Sequence, residues 1–399
     1  MNRHPDMSLP IVINWQAGTG SGWGLYGFNL ALHLMSQGRE VSLLWPPSDA
    51  QAPPLESRLF QAVAHRSAEL QNRFRALGEG QSLELQATLL HGLGEELLPP
   101  PMGGRVVRGT RNFGVTFFVD PALGDQARAI GHGLDGVIAG STWNAVLLEA
   151  AGVPGISLVI QGIDTSTFSP APKAGLLPGR FVIFSGGKLE FRKGQDIVLA
   201  AFNIFKRRHP EALLLAAWHN GWAKTAASIG LSPHGVPAPP LDANETPDMQ
   251  AWLALQGFGP EDVILLPDLP NFQMAAMMRE ADLAVFPNRC EPGTNLVAME
   301  AMALGLPTIL SANSGHLDFC DAKIAYVLSK QGKVQDVPFH RSTAGWGESS
   351  VEELLAAMER AYHKRDEAMA LGKAAAARLA EFSWTRQLDQ LMAIIDADS

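Results

Sequence analysis

The sequence predicts an α/β protein made of two doubly wound parallel sheets, and three observations carry that expectation. Short apolar runs alternate with longer helical patterns along the whole chain, which is the signature of βαβ units. The alternation stops at a turn-rich segment and then starts afresh, so there are two such cycles. Apolar residues make up 46% of the 399 residues and charged ones only 18%, against about 25% charged in typical domains. That balance suits large buried sheets.

Taken in order, residues 9–15 read as a first buried strand, followed by Gly18-Thr-Gly-Ser-Gly-Trp-Gly24 and a helix over 25–37 that Gly38 stops. Further strands are expected at 42–45, 82–87, 114–118, 136–139 and 158–160, completing one Rossmann-like half. Gly162-Ile-Asp-Thr-Ser-Thr-Phe-Ser-Pro-Ala-Pro-Lys173 breaks the periodicity and reads as an interdomain linker. The second cycle has strands at 181–185, 212–217, 263–266, 283–286 and 308–311, with a helix over 195–208. Between 220 and 260 the prolines Pro233, Pro237, Pro239 and Pro240 mark an irregular insertion around one or two short helices. Residues 350–379 are helical, and Phe382-Ser-Trp-Thr385 precedes a last helix to about residue 395, capped by Ser383 or Thr385. The expected domains are 1–168, 169–380 and a closing helix, 381–399, that could cross back to the first half. Ligands in such sheets bind outside the carboxyl ends of the strands, so a central cleft faced by both sheets is the expected site.

Composition excludes several functions. With 31 basic and 40 acidic residues the net charge is −9, and without a basic tract no nucleic-acid partner is expected. Two cysteines, Cys290 and Cys320, exclude a disulfide scaffold and a multi-cysteine zinc site. Residues 1–10 have no secretory-signal pattern and no run approaches the roughly 20 apolar residues of a membrane span. A cytoplasmic protein is expected, at most peripheral at the inner face of the membrane. There is neither a fixed-period repeat nor a low-complexity tail.

Three stretches carry chemistry. The first glycine-rich loop, which includes Gly22 and Gly24, follows a strand and opens a helix, so its N–H groups could hold a phosphate or an acceptor; a tight strand-to-helix turn explains it equally simply. It lacks the third glycine of the dinucleotide fingerprint. Phe184-Ser-Gly-Gly-Lys-Leu-Glu-Phe-Arg-Lys-Gly-Gln-Asp196 sets three cations, Lys188, Arg192 and Lys193, beside Gly187 in a loop between a buried strand and an amphipathic helix. Cations in that place suit a bound polyanion, though solvated loop lysines are the plainer reading. Val285-Phe-Pro-Asn-Arg-Cys-Glu-Pro-Gly-Thr-Asn-Leu-Val-Ala-Met-Glu-Ala-Met-Ala-Leu-Gly-Leu-Pro307 is the most specific of the three.

This last segment resembles the donor-binding segment of the retaining glycosyltransferases of family four, which have the two-Rossmann GT-B architecture. The likeness extends to Gly152-Val-Pro, the hinge sequence from Gly162 to Pro170, Lys193-Gly194 and Phe382-Ser-Trp, and covers most of residues 10–395. It implies that Lys193 and Lys188 contact the diphosphate of a nucleotide-sugar donor; the family usually has arginine at the earlier position, and lysine keeps the charge without the bidentate fork. The family's paired glutamates are separated by seven residues, and here Glu291 and Glu300 by eight. If the helix begins near Thr294, Glu300 lies about 9 Å along its axis, which suits a carboxylate on the ribose hydroxyls, while Glu291 stays beside the donor sugar. Gly293, Thr294, Asn295 and Leu296 complete the donor-binding set, with a structural helix cap as the alternative.

Many members carry a histidine after a middle strand of the first half. None is present there; Asp120, just past Gly114-Val-Thr-Phe-Phe-Val, is the nearest polar candidate or else a cap, and His132 lies farther on. His33, His65, His209 and His363 read as structural, His219 and His316 flank the expected cleft, and no histidine pair has metal-ligand spacing. With no Asp-x-Asp motif, no metal or other cofactor is expected. The resemblance implies transfer of a sugar, with retention, to a glycan, lipid-linked or protein acceptor. A GT-B epimerase and a catalytically silent nucleotide-sugar-binding or interaction protein are the competing readings. A phosphorylase lacks a pyridoxal-binding lysine context, and a dehydrogenase lacks the fingerprint.

Overall fold

The computed structural model describes residues 9–48 and 51–397. The chain forms two compact units: one takes in the chain up to Gly162, Pro270–Phe272 and the segment from Phe382 onward, and the other Ile163–Leu269 and Gln273–Glu381.

The first unit is a parallel six-stranded sheet of β1 (Ile11–Asn14), β2 (Val41–Leu43), β3 (Ser82–Leu93), β4 (Val106–Thr116), β5 (Gly136–Ala139) and β6 (Ile156–Leu158), in the order β2-β1-β3-β4-β5-β6. Its helices are α1 (Gly22–Ser36), α2 (Pro54–Arg66), α3 (Ala68–Arg75), α4 (Asp125–His132) and α5 (Thr142–Ala150). Strands β1 and β5 are buried at every residue, as the continuous apolar runs require for strands covered on both faces. Strands β3 and β4 are twice the expected length: β3 starts at Ser82 as expected but runs past 87 to Leu93, and β4 starts at Val106, well before 114. Their early halves alternate exposed and buried residues and pair only with each other, with a register shift between Leu85 and Thr88. The expectation caught the alternating start of β3 and missed its buried continuation, and caught the buried end of β4 and missed its half-exposed start.

The second unit has β7 (Phe181–Gly186), β8 (Ala212–Ala217), β9 (Val263–Leu265), β10 (Leu283–Phe286), β11 (Thr308–Ser311) and β12 (Tyr326–Leu328) in a parallel sheet ordered β12-β11-β10-β7-β8-β9. A hairpin, β13 (Gln331–Lys333) and β14 (Gly347–Ser349), follows. The helices are α6 (Gln195–Arg208), α7 (Ala223–Ala227), α8 (Met249–Ala254), α9 (Asn271–Met278), α10 (Leu296–Ala303), α11 (Val351–His363) and α12 (Arg365–Leu379). Ile183, Phe202, Leu214, Trp252, Leu283 and Ile309 lie in one buried core. Beyond β11, β12 and the hairpin were not expected; the hairpin strands, Gln331–Lys333 and Gly347–Ser349, hold no apolar run.

The chain ends in α13 (Trp384–Ala397). The Arg386 N–H donates to Ser383 Oγ at 3.3 Å, so Ser383 is the cap and Thr385 lies inside the helix. This helix contacts α1, and Trp384 packs edge-on to Tyr26 with ring centroids 5.6 Å apart.

Each strand order reverses direction once, between β1 and β3 in the first sheet and between β7 and β10 in the second. A crevice opens outside the carboxyl ends of the strands at such a switch point. The loops that leave β1, β7 and β10 are the three stretches singled out by their residues.

Candidate donor-binding site

In the second unit the fully buried β7 delivers its chain to Gly187 and Lys188, and a short turn at Phe191–Lys193 leads to Gly194 and α6. Gly194 is left-handed at φ 70°, and a Cβ there would stand 2.3 Å from the Pro287 carbonyl oxygen. Only glycine lets the β7 and β10 loops approach this closely.

Across that contact the charges converge. Lys193 Nζ lies 2.6 Å from Glu291 Oε1 and Arg192 Nη1 lies 3.3 Å from Oε2. Arg192 also pairs with Glu190, and Asn288 Nδ2 donates to Glu291 Oε1. Glu291 is 3% exposed; burial pushes its carboxyl up, but Lys193 and Arg192 outweigh that and hold it at about 2. Burial lowers the Lys193 ammonium, which Glu291 only partly restores. For Arg192, burial is outweighed by Glu190 and Glu291, so its guanidinium is held above its ordinary value. The carboxylate is therefore ionised and pinned by two cations.

Lys188 stands apart from that pair. Its Nζ lies 4.0 Å from the centroid of the Trp222 ring, a cation–π contact, and burial lowers its ammonium. Trp222 is 65% exposed. Asn220 holds it beside the β7 loop, accepting from the Trp222 N–H at 2.8 Å and donating to the Leu189 carbonyl at 2.7 Å.

Helix α10 starts at Leu296, two residues later than expected, because Asn295 is left-handed at φ 60° and serves as its N-cap. Thr294 thus precedes the helix. Glu300 sits four residues beyond Leu296, about 6 Å along the axis rather than 9, and is buried. Thr294 is also buried, and its Oγ1 has no hydrogen-bond partner.

Two buried groups that sequence reasoning missed or misjudged support the loop. Arg289 is 0% exposed and bidentate to Asp196, at 2.9 and 2.7 Å. It also donates to the Phe191 carbonyl at 2.6 Å and to Glu348 Oε1 at 2.8 Å. It binds the β10 loop, the β7 turn and the hairpin together. His316 is fully buried instead of lining a cleft. Its Nε2 is 3.1 Å from Asn295 Nδ2 and its Nδ1 3.2 Å from the Ser311 carbonyl, which places the proton on Nδ1. Burial lowers it to about 4, so the ring is neutral at pH 7. Beside it, Ser314 Oγ accepts from the Glu291 N–H at 2.8 Å. A signal for Arg289 did exist: an arginine in a run of buried residues needs a partner. Nothing in the spacing pointed to Asp196, 93 residues earlier.

Lys188, Arg192, Lys193, Glu291 and Glu300 thus belong to one unit, with Gly187, Gly293, Thr294, Asn295 and Leu296. Gly22, Gly24 and Asp120 belong to the other. Gly22 and Gly24 form the first turn of α1, which begins three residues earlier than expected; the Gly24 N–H donates to Ser21 Oγ at 3.1 Å. Asp120 is buried, its Oδ1 accepts from the Ala122 N–H at 3.0 Å and its own N–H donates to Glu95 Oε2 at 3.0 Å. It closes a turn, and the cap position of α4 is Gly124. His132 and His219 are exposed. Among the described residues no helix is long and apolar enough to cross a membrane.

The family described as "Glycosyl transferases group 1" matches residues 171–378. A D-inositol 3-phosphate glycosyltransferase of Segniliparus rotundus is 30% identical over 244 residues, 60% of this chain and 46% of that one. A GDP-mannose-dependent alpha-(1-6)-phosphatidylinositol monomannoside mannosyltransferase of Mycolicibacterium smegmatis is 27% identical over 53% of each chain. The chain spans about half the length of these curated relatives. Among solved structures, sucrose-phosphate synthase of Thermosynechococcus elongatus superposes with a TM-score of 0.66 at 17% identity, covering 98% of this chain and 100% of that one. Anabaena HepE in complex with UDP-glucose gives 0.64 at 12% identity, with 98% and 100% covered. At these identities the likeness shows the fold, GT-B with two Rossmann-like units.

Proposed function

The chain belongs to the glycosyl transferases group 1 family, and from that membership we propose that it moves a sugar from a nucleotide-sugar donor to a glycan, lipid-linked or protein acceptor, with retention at the anomeric carbon. The observation that carries the reading is the buried convergence of Lys193 and Arg192 on Glu291 at the switch point of the second sheet, next to the N-terminus of α10. The names of the relatives support it, one being GDP-mannose-dependent, as does a structural neighbour solved with UDP-glucose.

The physics follows from the leaving group. Departure of a nucleoside diphosphate builds negative charge on the β-phosphate, so fixed positive groups stabilise the transition state more than the ground state. In this reading the Lys193 ammonium, with three donors, shares itself between Glu291 and a phosphate oxygen. Lys188 leaves the face of Trp222 to meet the second phosphate, and the first N–H groups of α10 add their partial positive charge. Positive charge from these groups needs no metal. Glu291, kept ionised, lies against the donor sugar, and Glu300 takes the ribose hydroxyls. Gly22 and Gly24 are kept as candidates for a donor phosphate or the acceptor, and Asp120 as a candidate catalytic group in place of the family's histidine. The experiment is product analysis: purified protein, donor and an acceptor pool are incubated and the new linkage is read by NMR. An anomer matching the donor's is expected. The opposite anomer overturns retention, and isomerised donor without acceptor would make the protein an epimerase.

A further inference from the structure

A second cluster of chemistry-bearing side chains lies at the far end of α6. That helix has 14 residues and is about 21 Å long at 1.5 Å per residue. Lys193 precedes its start and His209 follows its end. Three donor atoms meet there although the sequence spreads them over 154 residues: His209 from the end of α6, and Glu359 and His363, one helical turn apart on α11. His209 Nε2 is 2.8 Å from Glu359 Oε2, and His363 Nε2 is 3.5 Å from the same oxygen. All three donor atoms lie within 4.8 Å of one another. We propose that His209, Glu359 and His363 form a binding site for a borderline divalent metal ion of the zinc type, remote from the donor site.

The geometry and the donor set both favour this. In a tetrahedron of 2.0–2.1 Å bonds, neighbouring donor atoms stand roughly 3.3 Å apart, and the two measured separations lie on either side of that value. A metal at the centre would take the place of the hydrogen bond between His209 Nε2 and Glu359 Oε2. Two imidazoles and one carboxylate are the ligands that zinc takes with an open position for water, whereas magnesium and calcium prefer oxygen ligands only.

The site is also held in shape. His209 is 9% exposed, and its ring is packed between Tyr362, with centroids 3.9 Å apart, and Phe205, at 4.5 Å. Arg208 Nη1 donates to Glu359 Oε1 at 2.9 Å, which orients the carboxylate and leaves Oε2 toward the imidazoles, as outer partners of metal ligands do. The His363 side chain is 64% exposed and can turn the short distance that full coordination asks. A metal there would tie the end of α6 to α11, two helices that pack against the same core, and would act on stability rather than on sugar transfer.

The test uses the full chain, treated with chelator, dialysed and titrated with Zn2+ by calorimetry, with Co2+ absorption as a second readout. One Zn2+ per chain, the visible bands of low-symmetry Co2+ with nitrogen ligands, and a raised thermal midpoint are expected. His363→Gln, at an exposed position, should fold as wild type. It should bind Zn2+ at least about tenfold more weakly, the least that loss of even an outer partner costs. Glu359→Gln should do the same, and donor binding should stay unchanged in His363→Gln. Equal Zn2+ affinity in wild type and His363→Gln, no Zn2+ binding by wild type, or preference for Mg2+ would each overturn the proposal. None of these results bears on the transferase reading, which fails or stands on donor binding.

Discussion

The two units present the same local architecture and put different chemistry on it. In each, the loop from a buried strand at the switch point of a parallel sheet passes through glycines into a helix. In the first unit, β1 leads to α1, the helix is capped by Ser21, and its surroundings are aromatic: Trp23 packs edge-on to Phe117 with centroids 5.0 Å apart and to Trp15 at 5.7 Å. In the second, β7 and β10 lead to a buried set of two cations and two carboxylates. Topology makes both places available, and charge distinguishes the proposed diphosphate site from one that offers apolar faces and a few N–H groups. Removing charge from the second unit should therefore abolish the proposed transfer, whereas removing the Ser21 cap of α1 in the first should cost stability and leave donor binding unchanged.

The largest effect is expected at Lys193. Lys193→Ala removes the ammonium that serves both Glu291 and the proposed leaving group, and loss of one such stabilising group costs roughly 10²–10³ in kcat. A steady-state assay with the wild-type donor checks this, and a variant retaining more than a tenth of the turnover would remove the distinction between the units. Next comes Arg289, whose partners Asp196 and Glu348 would be left without their cation. Breaking such a buried pair costs about 3–5 kcal/mol, so Arg289→Met should show a much lower urea midpoint. A midpoint near wild type would mean that the β10 loop does not depend on this tie.

Acid should act on the second unit in two stages. His316 is held at about 4, below its ordinary 6.5, so the unfolded chain takes up a proton that the folded one refuses. Its contribution is complete above 6.5 and is lost as pH falls to about 4. Glu291 is held at about 2; its contribution is complete above 4.5 and is lost as pH falls through 2. Each shift corresponds to on the order of 3 kcal/mol. Denaturant melts from pH 8 to pH 3 should show the first stage flattened in His316→Gln while the onset of the second, below 4.5, is retained; an unchanged profile would contradict the assignment. Smallest is Ser21→Ala, which removes a helix cap worth about 1 kcal/mol and should leave donor affinity as it was. Weaker donor binding in that variant would place donor contacts in the first unit.

The comparison also shows what a sequence can carry. Strands β5, β7, β8 and β10 are continuous buried runs, and burial on both faces makes them legible without partners. The β7 loop stood out because three cations and several glycines follow a buried strand, and the β10 loop because it resembles a segment of a known family. The start of α10 was misplaced because the left-handed turn at Asn295 depends on His316, 21 residues later, and a left-handed asparagine leaves no periodic trace. Arg289 with Asp196, and His209 with Glu359, are pairings made by the packing of α6, and spacing along the chain carries no information about them. Asp120 was singled out by its position past a strand, and the hydrogen bonds that tie it to a turn left no mark in the sequence.

The measurement that bears most directly on the central claim is a thermal-shift panel of UDP-, GDP-, ADP- and dTDP-sugars on wild type and Lys193→Ala. Ligand at 100 times its dissociation constant stabilises by about 2.7 kcal/mol. The account predicts that one nucleotide raises the wild-type midpoint by that order and has no effect on the variant. An equal shift in both proteins, or no shift with any nucleotide, would contradict a diphosphate site built on Lys193.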